Sequence, residues 1–127
     1  FNLGDYFDTS NVEDMRYMFY ECIITEGFKF NTKFNTGRVK NMEYMFARCK
    51  LANGIKLPED FNTAKVTDMN HMFYESTFVG DFSFGYAFAI SPNADTTELF
   101  VGSNVKGEII DDKNNDFTYV KRILKER

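Results

Sequence analysis

The feature that most constrains this chain is its internal period. Phe7, Phe34 and Phe61 open three segments that align without a gap, each 27 residues after the last. The segments share the pattern F-[DN]-T-x-x-V-x-[DN]-M-x-x-M-F. All six Met of the chain fall in two columns of it, Met15, Met42 and Met69 in one and Met18, Met45 and Met72 in the other. Extending the same ruler places Phe88, Leu99 and Phe100 in matching columns, so a degraded fourth copy follows. A fifth half-copy holds Val120 and Ile123. The connecting stretches repeat as well. Phe1, Phe28, Ile55, Phe82 and Ile109 share one column, Leu3, Phe30, Leu57 and Phe84 a second, and Ile24, Leu51, Phe78 and Val105 a third. A repeat of this length is one supersecondary unit that buries its apolar face only by stacking on its neighbours.

Spacing within a unit predicts one helix and one short strand. Val12, Met15, Met18 and Phe19 stand at i, i+3, i+6 and i+7, one face of a helix, and the sets starting at Val39 and Val66 repeat it. Ser10 followed by Glu13 has the capping-box pattern, and Ser91-Pro92 reads as N-cap and first helical residue in the fourth copy. Copies two and three carry Gly37 and Ala64 in that column, so Thr36 or Thr63 caps instead. Phe1-x-Leu3, Phe28-x-Phe30, Ile55-x-Leu57 and Phe82-x-Phe84 alternate with period two between Gly and Pro residues, which predicts strands. One unit alone cannot offset its ordering entropy of about 1–2 kcal/mol per residue with about 1.5–3 kcal/mol per buried large side chain. The expected architecture is therefore α/β: a solenoid of about four strand–helix coils, 1–27, 28–54, 55–81 and 82–108, closed by a capping helix over 109–127. The whole chain, 1–127, is one repeat domain.

Composition narrows the function classes. The chain has 127 residues, 43% of them apolar, and a net charge of −4. That balance disfavours a phosphate-tracking nucleic-acid binder. No apolar run is long enough to span a bilayer. The chain starts at Phe1 and shows no signal peptide, as expected of a processed protein or an excised fragment. One His and two Cys leave little material for a soft-metal site.

The repeated motif resembles the bacterial surface-protein repeats of BspA-like and mycoplasma-lipoprotein type. The match is good over residues 1–76, weak over 77–103, and then fades. Members often carry Trp just before the Asp/Asn-Thr pair, where this chain has Phe7, Phe34 and Phe61, a change conservative in size. The resemblance implies a leucine-rich-repeat-like solenoid, a cell-surface or extracellular setting, adhesion or other protein binding, and no enzyme activity. It transfers no binding residues, because the matched positions form the fold.

Each chemically suggestive residue has a structural alternative. The Met columns read as core packing rather than as a soft-metal groove. Cys22 and Cys49 share a column one period apart, with Ser76 and Ser103 next. That placement allows a disulfide or small reduced core residues. His71 shares a column with Tyr17, Tyr44 and Glu98 and belongs at a surface or flank. The columns Asp14, Asn41, Asp68, Asp95 and Asp8, Asn35, Asn62, Asp116 fit Asx turns better than calcium. Gly80–Gly85 lacks phosphate-loop spacing. Lys121, Arg122, Lys125 and Arg127 suit the end of a capping helix.

A ligand is expected on the concave strand face. Its outward column is Asn2, Lys29, Lys56 and Ser83, with Thr32, Glu59 and Tyr86 just beyond each strand. The expected function is a non-enzymatic protein-interaction or adhesion module with an acidic or host-derived protein partner. No cofactor, metal or nucleic acid is expected, and the chain is expected to be a monomer. A structural spacer without a ligand of its own is the rival.

Overall fold

The computed structural model describes residues 3–4, 6–31, 33–85 and 87–110. Seven short strands lie among them: β1 (Ile23–Ile24), β2 (Lys50–Leu51), β3 (Ile55–Lys56), β4 (Thr77–Phe78), β5 (Phe82–Ser83), β6 (Asn104–Val105) and β7 (Ile109–Ile110). They form a four-stranded sheet of order β1-β2-β4-β6 and a three-stranded sheet of order β3-β5-β7. Every pairing is parallel and joins residues one period apart, as in Ile23↔Lys50, Lys50↔Thr77 and Thr77↔Asn104. A third ladder of single bridges connects Asp14, Asn41, Asp68 and Asp95. Columns 27 residues apart therefore stack, as the sequence predicts.

The expected helices are not there, and the α/β solenoid of strand–helix coils is corrected accordingly. No helix occurs among the described residues, and the segments starting at Val12, Val39 and Val66 are successions of tight turns. In the first, Met18 N–H donates to Met15 O, Tyr20 N–H to Tyr17 O and Cys22 N–H to Phe19 O, all three-residue closures. The alternate amides of Tyr17, Phe19 and Glu21 leave the unit and donate to Glu43, Met45 and Ala47 of the next. An α-helix would turn every amide back on its own segment. Here half of them link successive units instead.

Backbone angles exclude the helix independently. Tyr17 and Glu21 have φ of 59° and 58°, Tyr44 and Arg48 57° and 55°, His71 and Glu75 56° and 53°. A positive φ at the third position is what a type II turn needs and what a right-handed helix forbids. Each such non-glycine residue costs roughly 1–2 kcal/mol, which the inter-unit bonds and core burial offset. The capping box dissolves too, because Ser10 N–H donates to Asp8 Oδ1 at 2.9 Å in an Asx turn. Ile109 and Ile110 of the expected capping helix form β7, and 111–127, with the Lys121–Arg127 cluster, lies outside the described residues.

The apolar columns are nevertheless the core. Met42, Met45, Phe46, Met69, Met72 and Phe73 are fully buried. Phe19, Phe46, Phe73 and Phe100 stack ring on ring at 5.1, 5.6 and 5.1 Å along the pile of units. Phe34, Phe61 and Phe88 make a second stack at 6.2 and 6.3 Å. Strands β3 and β5 lie where Ile55-x-Leu57 and Phe82-x-Phe84 predict them, whereas Phe28-x-Phe30, expected to match, forms none of the described strands. The column of Ile24, Leu51, Phe78 and Val105, read as a lone anchor, is instead the inward side of β1, β2, β4 and β6.

Candidate functional site

Two polar columns hold neighbouring units together. Thr9, Thr36 and Thr63 are buried. The Thr36 hydroxyl donates to Asn62 O at 2.9 Å, and Thr63 donates to Ala89 O while accepting Ala89 N–H at 2.8 Å. In the second column, Cys49 Sγ donates to Phe19 O at 2.9 Å, and Ser76 and Ser103 donate likewise to Phe46 O and Phe73 O. Cysteine and serine interchange here because each supplies one short donor to a carbonyl of the preceding unit. Cys22 and Cys49 are both free thiols. Burial pushes the Cys49 thiol up to about 12, so it is not a nucleophile at neutral pH.

The Asp/Asn columns close Asx turns, as the sequence suggests. Asn41 and Asp68 accept the amides of Glu43 and Asn70 at 2.9 and 3.0 Å. Asp14 is held below the ordinary carboxylate range by the Arg16 amide and then its guanidinium. Asp95 is lowered by the Thr97 hydroxyl and then its amide. Among the described residues no group of three or more His, Cys, Asp or Glu converges to hold a metal ion. His71 lies half-buried on the flank, stacked on Tyr44 at 4.5 Å, with Nε2 2.6 Å from Glu98 Oε2. Tyr44 stacks in turn on Tyr17 at 4.9 Å, so this column is a ring ladder.

The expected ligand face is reproduced in part. Lys29 and Lys56 are exposed one unit apart, and Glu59 is exposed beyond β3. Ser83 departs from the expectation: it is only 6% exposed, in the central strand of its sheet. Asn2, Thr32 and Tyr86 lie outside the described residues. Among the described strands β3 pairs with β5 alone, at one end of the order β3-β5-β7. A groove of about 260 Å³ runs across this sheet, from Phe28 and Gly54 past Ile55 and Lys56 to Asp81, Ser83 and Ile110. The backbone is drawn close between β3 and β5, for a Cβ on Gly54 would fall 2.0 Å from Asp81 O.

Sequence reasoning passed over a second charged surface. Arg38 and Lys65 share a column, and together with Lys40 and Glu13 they line a groove of about 330 Å³. The signal was present as two cations one period apart.

Among the described residues no helix is long and apolar enough to cross a membrane. No curated protein matches the chain, and no solved structure does. Residues 2–111 match one family, described as Mycoplasma protein of unknown function, DUF285. That span holds every stacked unit described above, and the chain belongs to this family.

Proposed function

We propose that the chain is a non-enzymatic protein-interaction module of a BspA-like surface or secreted protein, binding along the outer edge of β3. The observation that carries this reading is the position of β3. Among the described strands it pairs with β5 alone, and the exposed Lys56 on its groove lies one unit after the exposed Lys29. An extended acidic segment fits such an edge, with main-chain pairing for affinity and lysines for steering. The interior supports the reading indirectly, since it is filled by Phe and Met side chains. Recognition is then left to the surfaces. A cell-surface or extracellular setting follows from the family resemblance.

The test begins with capture from host extracellular-matrix proteins, followed by titration of each purified hit. The double variant Lys29→Glu/Lys56→Glu should lose binding, with an unchanged far-UV spectrum. Wild-type binding should weaken at high salt, since exposed charges contribute about 0.2–1 kcal/mol each and are screened. Unchanged binding by the variant would remove the site from this edge. Failure of every matrix protein to bind would favour a spacer role.

A further inference from the structure

We propose that the groove formed by Arg38, Lys40, Lys65 and Glu13 is a binding site for a sulfated polysaccharide, distinct from the β3 edge. Three cations and one carboxylate line it, on a chain whose net charge is −4. The local sign is thus opposite to the global one.

The fold fixes the backbone positions from which the three cations project. Arg38 and Lys65 each occupy the third position of a turn, closed by Val39 N–H to Thr36 O at 3.0 Å and Val66 N–H to Thr63 O at 3.1 Å. Both turns are pinned from inside. Thr36, Val39, Thr63 and Val66 are all buried, and the two threonine hydroxyls bond to the next unit. Lys40 is locked through its main chain, which donates to Glu13 O and accepts from Thr67 N–H, both at 2.8 Å. Stacking therefore repeats the turn of Arg38 one unit later at Lys65, at the roughly 4.8 Å spacing of neighbouring strands.

The charges are unequally satisfied. Lys40 Nζ pairs with Glu13 Oε1 at 3.1 Å. Arg38 and Lys65 have no carboxylate partner among the described residues. An arginine and a lysine one unit apart on the same groove, with no carboxylate partner among the described residues, favour a ligand that presents oxyanions.

The lining chooses among polyanions. All four described lining residues are charged, so a peptide finds no apolar or aromatic residue there to pack an anchor against. Single-stranded nucleic acid binds through stacked bases, and among the described residues no aromatic side chain lines the groove. A sulfated glycan needs neither apolar pocket nor stacking platform. Its regularly spaced sulfates would engage both unpaired cations together, which a free ion cannot do.

The test is calorimetric titration of the chain with a heparin-type oligosaccharide at low salt. Arg38→Glu/Lys65→Glu should bind at least tenfold more weakly with an unchanged thermal midpoint. Lys29→Glu/Lys56→Glu alters net charge equally and should bind like wild type, which separates this site from the β3 edge and from global charge. Glu13→Gln should bind several-fold more tightly, because it frees Lys40. The proposal fails if Arg38→Glu/Lys65→Glu binds undiminished, or if the desulfated oligosaccharide binds as well. It also fails if a Glu-rich peptide or single-stranded oligonucleotide is preferred. Full competition by inorganic sulfate, at the same concentration of sulfate groups, would assign a free-ion site instead.

Discussion

Ser76 shows how much one small side chain does in this architecture. Its hydroxyl donates to Phe46 O of the preceding unit and accepts Cys49 N–H at 3.0 Å. Ser76→Ala strands a buried carbonyl and a buried amide together, and leaving buried backbone groups unsatisfied costs about 1–3 kcal/mol. Cys49 stands one unit earlier and makes the equivalent bond to Phe19 O. Cys49→Ser keeps that donor and should cost less than about 1 kcal/mol. A denaturant titration of the two variants checks this. Comparable losses would mean that the column is governed by side-chain volume rather than by hydrogen bonding. The sequence shows the column but not the bond, because the partner lies 30 residues away.

The turn succession is the element that distinguishes this chain from the helical repeat its spacing suggests. Residues at i, i+3 and i+7 face one side both on a helix and on consecutive turns that close every three residues. Met42, Met45 and Phe46 are buried in either case. What separates the two is the left-handed backbone at Tyr44 and Arg48, residue types that carry no signature of it. The one sequence clue is Gly102, with φ of 77°, in the column of Glu21, Arg48 and Glu75. The β3 edge is constrained more tightly. Gly54 has φ of 73°, and a Cβ there would meet Asp81 O at 2.0 Å and Asp81 N at 2.7 Å. Both contacts are with backbone and cannot rotate away. Gly54→Ala should therefore destabilise the chain by more than about 3 kcal/mol, in the range of the most damaging single changes. Thermal unfolding measures it, and a shift of only a degree or two would mean that β3 and β5 stand further apart than described.

For the whole molecule the decisive property is translational register. Each ladder pairs residues one period apart, so an integral unit can be removed without changing any column. Excision of residues 39–65 joins Arg38 to Val66 and should leave a shorter protein that still unfolds cooperatively, at a lower denaturant midpoint. Excision of 39–64 displaces every later residue by one column and carries core side chains to the outside. That variant should give no cooperative transition. Equal behaviour of the two excisions would refute register as the organising constraint.

The sequence by itself determined the period, the identity of the stacked columns, the Met and Phe core, the Asx turns and the strands at Ile55 and Phe82. All of these follow from residue type repeated at a fixed interval, which stacking converts directly into contact. Tertiary structure alone decided the course of the chain between columns. Whether an amide closes on its own segment or reaches the next unit depends on a neighbour that local spacing does not describe. The same holds for the surfaces. Lys29 and Lys56 share a column that the sequence shows, but Ser83 of the same column is buried, which its residue type does not reveal. The lack of a carboxylate partner for Arg38 and Lys65 among the described residues likewise depends on where Glu13 comes to rest, beside Lys40. Such facts are set by distances between units, and a sequence records only their order.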